Sequence, residues 1–222
     1  STSGSSTSGA STSGGSSSGG AVIDMLVMYD KSAEQDTSRT GGIGSFIAMA
    51  VADMNSALSV SQVKVGGAQA RVNLVGSGLV NFDSKGDVGP GLTEIMKDSA
   101  TLALRDSKKA DLVHLIIGGP MVSAGVAKVN FQPGSITGNP NLGFSVSHRK
   151  VAISYHTFAH EVGHNLGCMH SWLKRTPNET GAYTGPFLYS NGHRWDGDDG
   201  LRYCTIMSYS FSDDTRTPRE RI

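Results

Sequence analysis

The 222-residue chain lacks most features that place a protein quickly. It has only two cysteines, Cys168 and Cys204, so at most one disulfide can form within it. Its 19 basic and 19 acidic residues cancel to a formal charge of zero, which leaves no basic field for nucleic acid or an anionic membrane. No uninterrupted run approaches the roughly 18 apolar residues that a bilayer-spanning helix needs, so no membrane insertion is expected. A charged and apolar leader is missing as well, and the chain reads as a mature or trimmed form. No internal repeat is visible.

In place of a leader stands a stretch of Ser, Thr and Gly over residues 1–20. Such a composition cannot bury a core and predicts a flexible linker. Residues 21–222 then suffice for one domain with a sizeable core. It divides into an upper part, 21–167, and a small, irregular, Gly- and Pro-rich lower part, 168–222. Within it, Ala21–Tyr29 is an apolar run rich in β-formers and predicts a first buried strand. Ile43, Ile47, Val51, Met54 and Leu58 recur at helical spacing and predict a long amphipathic helix ending near Ser59. A second strand is expected over 70–75, a Gly/Pro loop over 86–91, and one helix from Leu92 to about Lys108–Lys109. Asp111–Ile117 predicts a third strand, in which His114 reads as a satisfied core histidine. Ser123–Val129 predicts a fourth. Gly143–Ser147 and Val151–Ser154 lead into a further helix, capped by Ser154 or Thr157. The order indicates an α/β fold with a twisted, mostly parallel sheet.

The chemistry is concentrated in His160-Glu161-Val162-Gly163-His164-Asn165-Leu166-Gly167-Cys168-Met169-His170. On a helix, His160 and His164 project from one face, so one zinc ion can take a nitrogen from each. Gly167 can adopt positive φ, ending the helix and returning His170 as a third ligand. Three protein ligands leave a coordination position open, as catalytic rather than structural zinc sites do. Glu161 points toward a water at the metal and is the candidate general base. Downstream, Cys204-Thr205-Ile206-Met207-Ser208-Tyr209 places Met207 as an apolar floor beneath the imidazoles. The two cysteines flank these motifs, so a Cys168–Cys204 disulfide is expected, the other reading being two buried thiols. A bridge implies an oxidising compartment.

The elongated H-E-x-x-H-x-x-G-x-x-H pattern and the Met-containing turn resemble the metzincin zinc endopeptidases. VIDMLVMYD, ADLVHLII, SAGVAKV and GFSVS bring the chain closest to the reprolysin-like (adamalysin) branch and to bacterial peptidyl-Asp metallopeptidases. Ser171 departs from the Asp that reprolysins carry after the third His. The resemblance implies a metzincin-type domain with an antiparallel edge strand, one catalytic Zn²⁺ and an extended protein or peptide substrate. It further implies a secreted protein, with a monomer as the default state. It makes the 124–130 strand the edge above the cleft and Met207 the Met-turn methionine. Tyr209 is similar to the tyrosine that other metzincins use as a fifth ligand or oxyanion partner. Arg194, Arg202 or Lys174 would favour an acidic substrate side chain if they face it, and are otherwise surface charges. The acidic loop Asp196–Gly200 offers carboxylates for Ca²⁺ but reads as a solvated turn. An inactive metzincin-like binding domain and a zinc hydrolase of another substrate class are the alternatives to a peptidase.

Overall fold

The computed structural model describes residues 21–129, 138–171, 185–187, 189–208 and 219–221. The expected linker, residues 1–20, lies outside them, as do Tyr209 and Lys174.

In chain order the elements begin β1 (Val22–Tyr29), α1 (Lys31–Thr37), α2 (Gly42–Val60), β2 (Lys64–Val65), β3 (Ala68–Gln69), β4 (Arg71–Leu79) and α3 (Val88–Ile95). They continue α4 (Ser99–Lys108), β5 (Leu112–Ile117), β6 (Gly125–Ala127), β7 (Phe144–His148), α5 (Arg149–Ala152) and α6 (Thr157–Asn165). Three short strands follow: β8 (Arg194–Asp196), β9 (Arg202–Cys204) and β10 (Arg219–Arg221). The main sheet runs β4-β1-β5-β7-β6. Its first four strands are parallel, and β6 pairs antiparallel with β7 at the edge. The expected α/β class, the mostly parallel sheet and the antiparallel edge strand are all present.

Both faces of this sheet are covered, which is why its central strands read as continuous apolar runs rather than alternating ones. Along β1, Met25 and Val27 face a core shared with α2 and α6 (Ile47, Met54, Phe158, Val162). Leu26 and Met28 face the other core, with Leu92, Ile95 and Phe144. His114 sits inside β5 and is fully buried. Its Nδ1 and Nε2 each lie 2.8 Å from a hydroxyl, of Ser145 and Ser147 on β7, and its ring packs against Phe158. It is the satisfied core histidine that its place in the strand suggested.

Several local expectations change. One expected helix is two, α3 and α4, broken at Met96–Asp98 because Asp98 caps α4 by accepting from Thr101 N at 2.9 Å. Part of the expected Gly/Pro loop is the first turn of α3, where Pro90 needs no N–H partner. The short α1 was not foreseen. Its cap is Asp30, which accepts from Ala33 N at 2.8 Å. α2, at 19 residues, is long and apolar enough to cross a membrane by length and composition, contrary to the expectation that no segment approaches this. Here Ile47, Ala50, Val51, Met54 and Leu58 form its buried stripe against the sheet.

Candidate active site

α6 is buried along its whole length. Phe158, Ala159 and Val162 press into the core below it, and helical geometry turns His160, Glu161 and His164 the other way. The helix ends in a Schellman arrangement. Gly167 sits at φ 95, its N–H donates to His164 O at 3.0 Å, and Cys168 N–H donates to Gly163 O at 2.9 Å. The next residue, Met169, bridges to Asn191, with Met169 N on Ser190 O at 2.8 Å and Gly192 N on Met169 O at 2.7 Å. This ladder carries His170 back over the helix.

The three imidazoles converge. Nε2 of His160 and Nε2 of His164 each lie 3.0 Å from Nε2 of His170, and the candidate ligand atoms all fall within 4.8 Å of one another. Two backbone carbonyls dictate which nitrogens are bare. His160 Nδ1 donates to Ile206 O at 2.7 Å and His164 Nδ1 donates to Cys168 O at 2.7 Å. With the proton on Nδ1, each neutral ring turns an Nε2 lone pair toward the common point. Burial lowers the pKa of His164, which favours this neutral form. A tetrahedral zinc with Zn–N bonds of about 2.0–2.1 Å needs nitrogens about 3.3 Å apart. The donor set and spacing therefore fit such an ion. Among the described residues no other cluster of this kind occurs.

Glu161 is buried, 5 % exposed. Desolvation pushes its pKa up to about 8; a cation at the imidazoles would pull it down again. It lies at the junction of two cavities. The larger, about 630 Å³, is lined by Met121, Ala124, Val151, Tyr155 and Thr157 beside His160 and Glu161. The smaller, about 220 Å³, runs along Val126, Ala127 and Val129 to His164, Met169 and His170. Gly125 lines both, and a Cβ there would run into Glu161 Oε1. Because Val126 stands opposite Val146, with Ala124 O and Lys128 N bonded to β7, the alternation of the ladder turns Gly125 and Ala127 backbone groups away from β7.

The segment 205–208 is a tight turn. Thr205 N donates to His193 O at 3.0 Å and Ser208 N to Thr205 O at 2.9 Å. A Cβ on Gly163 would run into Met207 Sδ, so the Met207 side chain packs against the α6 backbone at that glycine. The expected Cys168–Cys204 disulfide is not made: both cysteines are free. Cys168 follows the left-handed Gly167 on the turn that ends α6, its N–H held on Gly163 O, whereas Cys204 is buried at the end of β9. Without a bridge, the cysteines lend no support to the oxidising compartment expected from the sequence.

Of the expected cations, Arg202 pairs with Asp196 at 3.2 Å and Arg194 is buried on β8; neither is among the described residues that line these two cavities. The Asp196–Gly200 loop is the β8–β9 hairpin turn, in which Asp199 accepts from Leu201 N at 3.0 Å and from the Tyr203 hydroxyl. Neither expected cap of α6 is used; its N-cap is His156, with no side-chain capping bond. Sequence reasoning missed Gly125, whose signal was a glycine inside a strand pattern. It also missed the carbonyls of Ile206 and Cys168, which leave no signal because any residue supplies one.

Over residues 45–171, more than half of the chain, the sequence matches the family described as metallo-peptidase family M12B, reprolysin-like. A peptidyl-Asp metalloendopeptidase from Pseudomonas aeruginosa is 27 % identical over 199 residues, covering 84 % of this chain and 32 % of its own length. One from Stenotrophomonas maltophilia is 26 % identical over 195 residues, covering 86 % and 42 %. The chain thus spans well under half the length of these relatives. Among solved structures, one titled "Structure of a chaperone-substrate complex" aligns with a TM-score of 0.54 at 18 % identity, over 70 % of this chain and 25 % of that one. That likeness concerns the fold alone.

Proposed function

Since the chain belongs to the reprolysin-like M12B metallopeptidase family, we propose that it is a zinc-dependent endopeptidase acting on extended protein or peptide substrates. The observation that carries this reading is the convergence of three Nε2 atoms beside a buried carboxylate, at the foot of an open sheet edge. When bound at His160, His164 and His170, zinc supplies Lewis acidity toward a carbonyl oxygen and a lowered pKa for water. Glu161 accepts the proton of the attacking water and returns it to the leaving amide nitrogen. Gly125 and Ala127 offer N–H and C=O groups to an extended peptide, which docks as an added strand. Met207 closes the floor of the site against Gly163.

The relatives' name points to aspartate at the cleavage site. The described walls of the larger cavity argue for another preference. Met121, Ala124, Val151 and Tyr155 are apolar, and no Lys or Arg is among its described lining residues. We therefore expect an apolar substrate side chain there.

The test is hydrolysis of casein and of a peptide library by wild type and Glu161→Gln, with bound zinc quantified in each. The reading expects one zinc in both proteins, cleavage by wild type only, and cut sites flanked by apolar residues. Cleavage confined to aspartate bonds would overturn the preference alone. Equal cleavage by the two proteins would overturn Glu161 as the base, and a wild type that binds no zinc would overturn the whole reading.

A further inference from the structure

α6 starts in an uncommon way. His156, its N-cap, lies in the left-handed region at φ 53, ψ 27, and its side chain caps nothing. For a residue with a Cβ this conformation is costly and persists only where the surroundings hold it. What holds it is Asp53 on α2. His156 Nδ1 donates to the carboxylate, with both oxygens at 2.9 Å, and the two side chains are 32 % and 16 % exposed. The peptide oxygen of the same residue accepts the first helical bond of α6, from His160 N at 2.9 Å. One turn therefore separates the clasped residue from the first imidazole, and Glu161 follows directly.

The far end of α6 is tied as well. Asn165 Nδ2 donates to Lys128 O at 2.7 Å and to Phe144 O at 3.0 Å. Between these two tethers the core-facing side of the helix rests on apolar contacts, which are not directional and tolerate a small slide or roll. Directional bonds set its place: the Asn165 amide at its end, His160 Nδ1 on Ile206 O in its middle, and the Asp53–His156 pair at its start.

We propose that Asp53 is a positioning residue for the active centre. By clasping His156 it sets where α6 begins, and with that the placement of His160 Nε2 and of the Glu161 carboxylate relative to His170. The inference rests on the reading of His160, His164 and His170 as zinc ligands.

Three variants test it: Asp53→Ala, Asp53→Asn and His156→Gly. Each is measured for zinc affinity by chelator competition, for the visible spectrum of bound Co²⁺, for kcat and KM, and for Tm. Partners that orient metal ligands typically matter by 10- to 100-fold. From one turn away we expect Asp53→Ala to lose about tenfold in zinc affinity and in kcat, with KM unchanged and the Co²⁺ spectrum altered. Asp53→Asn, whose amide oxygen accepts the same N–H, should recover most of both. His156→Gly separates positioning from folding. Glycine takes left-handed backbone without cost, so Tm holds or rises while zinc affinity still falls about tenfold. Wild-type zinc affinity and Co²⁺ spectrum in both His156→Gly and Asp53→Ala would overturn the proposal, whatever the change in Tm. A His160→Ala control that still bound zinc at wild-type affinity would overturn the ligand reading, and this inference with it.

Discussion

His160 Nδ1 donates to the carbonyl oxygen of Ile206 at 2.7 Å, although 46 residues separate the two in sequence. This bond joins α6 to the turn that carries Met207. Ile206 also packs against the core beneath α6. The turn therefore does two things at once: it holds a ring in the tautomer a metal needs, and it sets Met207 against Gly163 of the same helix.

Such a site gains stability from its ion. An ion bound only by the folded chain, present at about 100 times its Kd, contributes about 2.7 kcal/mol. For a chain of this size that corresponds to a Tm shift of roughly 5–10 °C. Exhaustive chelation should lower Tm by this amount, and added Zn²⁺ should restore it. His170→Ala should show no such response in the same thermal scan.

Gly125 stands against Glu161, and a Cβ there would meet Glu161 Oε1, Glu161 Cγ and Thr157 Cγ2. Alanine suits a strand, so Gly125→Ala should fold. It should displace the Glu161 carboxylate and lower kcat about 10- to 100-fold with zinc content unchanged, since small misplacements of a catalytic group cost on that scale. Metal analysis beside steady-state kinetics checks this.

His114 carries the clearest pH dependence of stability. Burial lowers its folded pKa from 6.5 to about 3. Between those values the unfolded chain binds the proton and the folded chain does not. Its contribution is therefore fully present above pH 6.5 and is lost as pH falls toward 3, by up to about 1.4 kcal/mol per pH unit. Denaturant midpoints at pH 7.0 and 4.5 should fall further for wild type than for His114→Phe. The variant starts less stable, because Ser145 and Ser147 lose their partner.

Cys168 and Cys204 are free thiols, and burial raises the pKa of Cys168. A thiol reagent should count two thiols after denaturation and react slowly with the native protein. A phosphine reductant, which cleaves disulfides without the zinc chelation of a dithiol, should leave Tm unchanged. Fewer than two thiols after denaturation without reductant would show a bridge.

Much of the site was legible before folding because it obeys helical spacing. The i, i+4 interval determines that His160 and His164 share a face, and a glycine seven residues after His160 permits the left-handed turn that returns His170. The apolar runs of β1 and β5 likewise identify strands covered on both faces. Local boundaries were less legible where a side chain competes with the pattern, as Asp98 does in breaking one expected helix into α3 and α4.

Other properties belong to the tertiary structure alone. Which carbonyl meets each Nδ1, which glycine abuts Glu161, which residues line the cavity, and whether two cysteines face each other all depend on contacts between distant segments. A backbone carbonyl carries no residue identity, and proximity across a sheet has no period in the chain. The sequence by itself determined the candidate ligand set and the helix that presents it. Only the packing of β6, α2 and the 205–208 turn around that helix decided the tautomers, the cleft and the free thiols, because these are set by where elements meet in space.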